Sequence, residues 1–235
     1  MRDRGTTWLL VMASLSAFCP SPLRSQELSA REIVSRSSRA IAGSGDIASL
    51  RTLRLEEVLE GRDRAEKWEI IRPNLVRRQQ EGAFILLSDG RRAGYLEGPR
   101  LADGTLQGPH LVPPETYYHF EMDISIYVPA FFDYPAEYAG LTTVDGNPAH
   151  LLRVNLPRGG VVVYAIHAES FLPVRVELPE WNLRRQMGDF RQVGGFLLPH
   201  RTWDPRDPSQ VIVLRNLTVN PDLDRSRFVF PAGIR

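Results

Sequence analysis

From Leu50 to Val219 the chain is cut into short segments whose apolar residues recur at every second position, and most of the links between them are only a few residues long. Leu53, Leu55 and Leu59 alternate with Arg54, Val58 and Glu60, and Gly61-Arg62-Asp63 then turns the chain. Strands follow at Lys67 to Ile71, Leu75 to Gln80, Ala83 to Leu87 and Arg92 to Leu96, with turns at Glu81-Gly82 and Ser88-Asp89-Gly90. After residue 148 the pattern resumes at Ala149 to Leu156, Val161 to Ile166, Leu172 to Leu178, Met187 to Val193, Phe196 to Trp203 and Val211 to Val219. Links that tight leave no room for a crossover, so consecutive strands must be antiparallel neighbours. A parallel α/β fold and a helical bundle are both excluded.

Two stretches depart from this rhythm. Ser29 and Glu32 form a capping box, Ala30, Ile33, Val34, Ser37, Ala40 and Ile41 share a face, and Gly43 ends the helix they predict. Between Glu97 and Gly140, Pro99, Pro109, Pro113, Pro114, Pro129 and Pro135 exclude a long strand. The same stretch carries Phe120, Ile124, Ile126, Tyr127, Val128, Phe131, Phe132 and Tyr134, too apolar for a plain surface loop, and predicts short helices around Ile124 to Phe132. A mainly β fold with about eleven strands in one antiparallel sheet must curl, which predicts a strongly curved, incompletely closed barrel plugged by an N-terminal helix and short lid helices. No internal repeat or long linker divides it, so 26–235 read as one domain.

The first 25 residues read as a signal peptide, with Arg2 and Arg4 ahead of the short apolar run Trp8 to Phe18. Export to an oxidising compartment such as the periplasm follows. Cys19 is the only cysteine, so no internal disulfide can form. Either it is removed by cleavage near Leu23-Arg24-Ser25 or it is the acylated first residue of a lipid-anchored form, for which Phe18 is a poor preceding residue. A net charge of +1, from 29 Lys and Arg against 28 Asp and Glu, gives no reason to expect nucleic acid.

Motifs for catalysis, metal and cofactor are missing. His110, His119, His150, His167 and His200 show no metal-ligand spacing, and there is no nucleophile elbow, phosphate loop or dinucleotide fingerprint. The chain is therefore read as a non-enzyme without cofactor or metal. One alternative stays open, a hydrolase using Glu115, His119, Glu121 and Asp123. The positive signal is apolar: alternation places Trp68 and Ile70, then Leu152, Val154 and Leu156, then Val174, Val176 and Leu178 on one face, with Phe131 and Phe132 of the insert opposite. These residues line either a filled core or a lipid-binding cavity, and the scarcity of helical filler favours the cavity.

Trp68 followed by Arg72-Pro73-Asn74-Leu75, then Leu87-Ser88-Asp89-Gly90, resembles the W-x-x-x-R-P-N-L and V-S-D-G segments of LolA-type periplasmic lipoprotein carriers of Gram-negative bacteria. Asp224 with Phe228-Val229-Phe230-Pro231 is similar to that family's closing pattern, and Val144 to Ala149 with Ile166 to Pro173 to its broader lipoprotein-sorting members. The resemblance implies a half-barrel whose helical lid covers a cavity for lipoprotein acyl chains, with an inner-membrane release complex and an outer-membrane acceptor as partners. It also implies that Arg72 tethers the lid, a role suited to a guanidinium fork that bonds several carbonyls at once. Against that stands a plain strand-end pair of Arg72 with Glu69. His167 in place of the family's usual Asp, and the proline-rich insert, depart from the pattern. A sensor of the same fold that acts on a membrane partner is the alternative to transport.

Overall fold

The structure, a computed structural model, describes residues 28–43, 45–98, 107–114 and 118–234, without the side chains of 118–121, 123 and 208. The proposed signal peptide, Cys19, Glu115 and the side chains of His119, Phe120, Glu121 and Asp123 lie outside the described residues.

The first meander is β1 (Thr52–Leu59), β2 (Ala65–Ile71), β3 (Leu75–Gln80), β4 (Phe84–Asp89), β5 (Ala93–Glu97) and β6 (His110–Leu111). The second is β7 (Ala136–Val144), β8 (Asn147–Asn155), β9 (Val161–His167), β10 (Pro173–Leu178), β11 (Leu183–Val193), β12 (Phe196–Asp204) and β13 (Asp207–Val219). Pairing of β1 with β13 fuses the meanders into one antiparallel sheet of thirteen strands among the described residues, with β6 and β7 at its two ends. The sheet has thirteen strands where the sequence predicts about eleven, and it is not closed into a barrel. The two additional strands, β6 and β7, begin in the proline-rich insert. β7 begins directly after Pro135 and is bulged next to Gly140 at φ +106°. Curvature is nonetheless pronounced, because Arg158 in the β8–β9 turn donates to the carbonyls of Gly90 and Arg91 in the β4–β5 turn at 2.8 and 3.0 Å. Those turns belong to strands near opposite edges and meet only if the sheet bends back.

This topology explains the insert. The chain leaves the sheet at one edge and must re-enter at the other, so residues 112–135 have to cross a whole face. They include α2 (Tyr118–Tyr127) and a short helical turn, Ala130–Phe132, and of the apolar residues that are too many for a loop Ile124, Tyr127, Val128 and Phe131 are buried against the sheet, with Ile126, Phe132 and Tyr134 half-buried. α1 (Ala30–Ala42) covers the same face. It starts where Ser29 Oγ accepts from Glu32 N at 3.2 Å and stops at Gly43, whose positive φ of 59° suits a residue without Cβ. Its buried Ile33, Ser37 and Ile41 lie four residues apart and span both halves of the core.

The sheet's other face is covered near β2 to β5 by the C-terminal segment, where Phe228 and Phe230 pack with Ile71 and Leu87. The two early motifs are joined in space. Ser88 Oγ donates to the Asn74 carbonyl at 2.9 Å, and Gly90 sits so close that an added Cβ would be 3.0 Å from Asn74 Oδ1. Asp89 accepts from the backbone of Arg91 and Arg92 at 2.9 and 2.7 Å, which closes the turn.

Candidate functional site

Arg72 follows the last residue of β2, pointing at the places where both helical segments end. Its Nη1 donates to the carbonyls of Ile47 and Leu50, just past α1, at 3.0 and 2.6 Å. Its Nε and Nη2 grip both oxygens of Asp133, just past the Ala130–Phe132 turn, at 3.2 and 2.8 Å. The side chains of the pair are 10% and 22% exposed, so the contact is sheltered from water and worth more than a surface ion pair. Glu69 does not pair with Arg72. It points to the opposite face of the sheet and binds Arg54 and Arg227 at 3.3 and 2.7 Å.

The apolar residues expected on one face divide between two adjoining clusters under the helices. Trp68 and Ile70 pack with Ile41 of α1 and with Ile124 and Tyr127 of α2. Leu152, Val154, Leu156, Val176 and Leu178 pack with Ile33, Met122 and Phe131, and half-buried Phe132 touches both clusters. Val174 is the exception. The β9–β10 ladder slips between Pro173 and Arg175, which turns Val174 to the far side, where it joins Val144, Ala149 and Ala165.

In this conformation the space over the inner face is filled by side chains. The Trp68 and Tyr127 rings are 5.0 Å apart and those of Phe131 and Tyr164 4.9 Å. A cavity of about 370 Å³ opens beside Arg72 and is lined partly by Leu50, Ile71, Phe132 and Asp133. Leu152, Val154, Val176 and Phe131, at most 4% exposed, are packed core residues here.

Three polar anchors were not legible in the sequence. Tyr164, wholly buried in β9, donates to the Ser125 carbonyl of α2 and accepts from Ala130 N, both at 2.8 Å. Burial raises its hydroxyl pKa, so it stays neutral. Glu57 accepts from Trp68 Nε1 at 2.9 Å and from Tyr127 OH, at the end of α2, at 2.7 Å. Burial raises its carboxyl pKa, opposed mainly by the Tyr127 hydrogen bond and then by Arg78. Asp133 completes the set as Arg72's partner. Each is a polar residue inside an apolar or mixed run, where alternation alone cannot distinguish it from a surface position.

No protein-family model and no curated protein matches the chain. Solved structures do. A LolA superfamily protein from Nitrosomonas europaea superimposes with a TM-score of 0.53 at 12% identity, over 86% of this chain and 98% of its own. A DUF1329 family protein from Desulfovibrio piger gives 0.50 at 12% identity, over 84% and 94%. A putative outer membrane lipoprotein-sorting domain from Vibrio parahaemolyticus gives 0.47 at 11%, over 84% and 94%, too distant to add weight. At such identities likeness establishes architecture alone, and the architecture of this chain is LolA-like.

Proposed function

We propose that the protein, exported to the periplasm as a single domain, carries acyl chains of lipoproteins or other lipids between the inner face of its sheet and its two helices. The observation that carries this reading is the Arg72 latch, in which one side chain holds the segments that follow both helices. What lies beneath the helices is an apolar surface made of two adjoining clusters, one with Trp68 and Ile70 and one with Leu152, Val154 and Val176. Helices that move off this surface free it for a chain whose burial is worth about 0.8 kcal/mol per methylene. An open face of that size left uncovered would aggregate, which gives the latch its purpose.

Native mass spectrometry of protein purified from a periplasmic extract tests the proposal. Co-purified lipid or acylated protein is the expected result, with altered cargo release in Arg72→Leu. Wild-type protein that is lipid-free and takes up no fluorescent fatty-acid probe would overturn it.

A further inference from the structure

At the end of β2 remote from Arg72 a second opening leads to the same inner face. Glu66 and Arg72 are separated by six residue steps along an extended strand, roughly 20 Å. This opening is a cavity of about 460 Å³ whose charged lining is Arg62, Arg64, Arg78, Arg185, Glu57 and Glu66. A crevice of about 110 Å³ continues inward from it, sharing Glu57, Arg78, Arg185 and Ile212 and adding the apolar surfaces of Trp68, Ile126 and Leu183.

The charges do not cancel. Arg78 is neutralised by Glu66 at 2.6 Å and stacks over the Trp68 ring at 4.7 Å, so it belongs to the wall. Glu57 is turned inward, its carboxylate occupied by hydrogen bonds from Trp68 and Tyr127. Arg62, Arg64 and Arg185 remain, the last within the field of the Asp204 carboxylate, whose pKa it helps to lower. Arg62 and Arg64 are exposed, and Arg185 donates one N–H to the Gln210 carbonyl at 3.0 Å. A guanidinium carries five donors in a fork suited to carboxylate and phosphate oxygens. Arginines on an open surface need no ligand; here they surround the outer end of a crevice in which the apolar surfaces of Trp68, Ile126 and Leu183 stand beside polar Tyr127 and Thr202.

We propose that this mouth binds the anionic head group, carboxylate or phosphate, of an amphiphile whose chain enters the crevice against Trp68, Ile126 and Leu183. The proposal rests on the carrier reading and narrows it: the preferred cargo is an anionic lipid rather than one with an uncharged head.

The test titrates the mature chain with palmitate, hexadecyl phosphate, hexadecanol and inorganic phosphate, following displacement of a fluorescent alkyl probe. Both anionic amphiphiles are expected to bind about tenfold more tightly than hexadecanol, the size of one charge-assisted contact open to solvent. The preference should shrink toward parity in Arg62→Gln/Arg64→Gln and in Arg185→Gln, with hexadecanol binding and thermal stability unchanged. It should survive in Arg72→Leu, and it should weaken with added salt. Equal binding of the three amphiphiles by wild type overturns the head-group site and leaves the carrier standing, whereas binding of none overturns both. Inorganic phosphate that binds as tightly as hexadecyl phosphate would replace the amphiphile with a free anion and equally overturn the proposal.

Discussion

Replacing Arg72 with Leu removes four hydrogen bonds at once, two to Asp133 and two to the carbonyls of Ile47 and Leu50. Deleting one partner of a fully buried ion pair costs about 3–5 kcal/mol and of an exposed one less than about 1 kcal/mol. With side-chain exposures of 10% and 22% this pair falls between the limits. Water can reach Asp133 once the arginine is gone, so a loss of about 2 kcal/mol is expected. The loss should be local, because no β-ladder contact depends on the Arg72 side chain, whereas the segments at Ile47–Ser49 and Ala130–Phe132 are held to the end of β2 through it. Amide hydrogen exchange separates local from global loss. Amides of residues 47–50 and 130–134 should exchange roughly 30-fold faster, the equivalent of about 2 kcal/mol. Those in the centre of β8, β9 and β12 should keep their protection. Uniform acceleration across the sheet would make Arg72 a general stabilising residue, and unchanged exchange at both segments would mean that the apolar contacts alone hold the helices. Either result refutes the latch.

Two further substitutions probe the other anchors. Tyr164→Phe removes the buried hydroxyl that donates to the Ser125 carbonyl and accepts from Ala130 N, so urea denaturation should show a loss of about 1–3 kcal/mol. A loss below about 0.5 kcal/mol would show that α2 readily finds other partners. For Glu57 the folded-state pKa lies above its ordinary value of 4.5, so the folded form favours the protonated acid and loses stability as pH rises from that value through the raised one. Glu57→Gln has no such dependence, and its melting temperature relative to wild type should therefore climb between pH 4.5 and neutrality. A constant or falling difference would contradict the burial of the charge.

What the sequence discloses is set by periodicity. Leu53, Leu55, Trp68 and Ile70 sit on the face that alternation assigns them, and Ser29 caps α1 where the capping box places it. Val174 fails because one bulge exchanges the faces of the residues around it, and a bulge leaves no mark on the apolar count. β7 is hidden for a related reason. Its more buried side begins with Ala136, Tyr138 and Gly140, which are not strongly apolar, and the strand follows a proline. The Arg72 site was half legible. The R-P-N motif marks the arginine, but Asp133 lies 61 residues away, beyond the reach of any local pattern, and only the passage of the insert across the sheet brings the two together.

That passage also divides the forces that hold the helices. Apolar contacts between the helices and Trp68, Leu152 or Val176 are non-directional, and an alkyl chain lying on the same surface restores much of what their loss would cost. The polar contacts are different. Arg72 needs the Ile47 and Leu50 carbonyls and Asp133, Glu57 needs Tyr127, and Tyr164 needs Ser125 and Ala130, and a hydrocarbon chain can replace none of these. Under the carrier function proposed above, hydrophobic burial would nearly balance between the covered and the loaded states, and a handful of hydrogen bonds would set which one prevails. Arg72 contributes the most of them from a single side chain, at a site lined in part by a cavity, and is the point at which a partner or a competing charge can tip the balance.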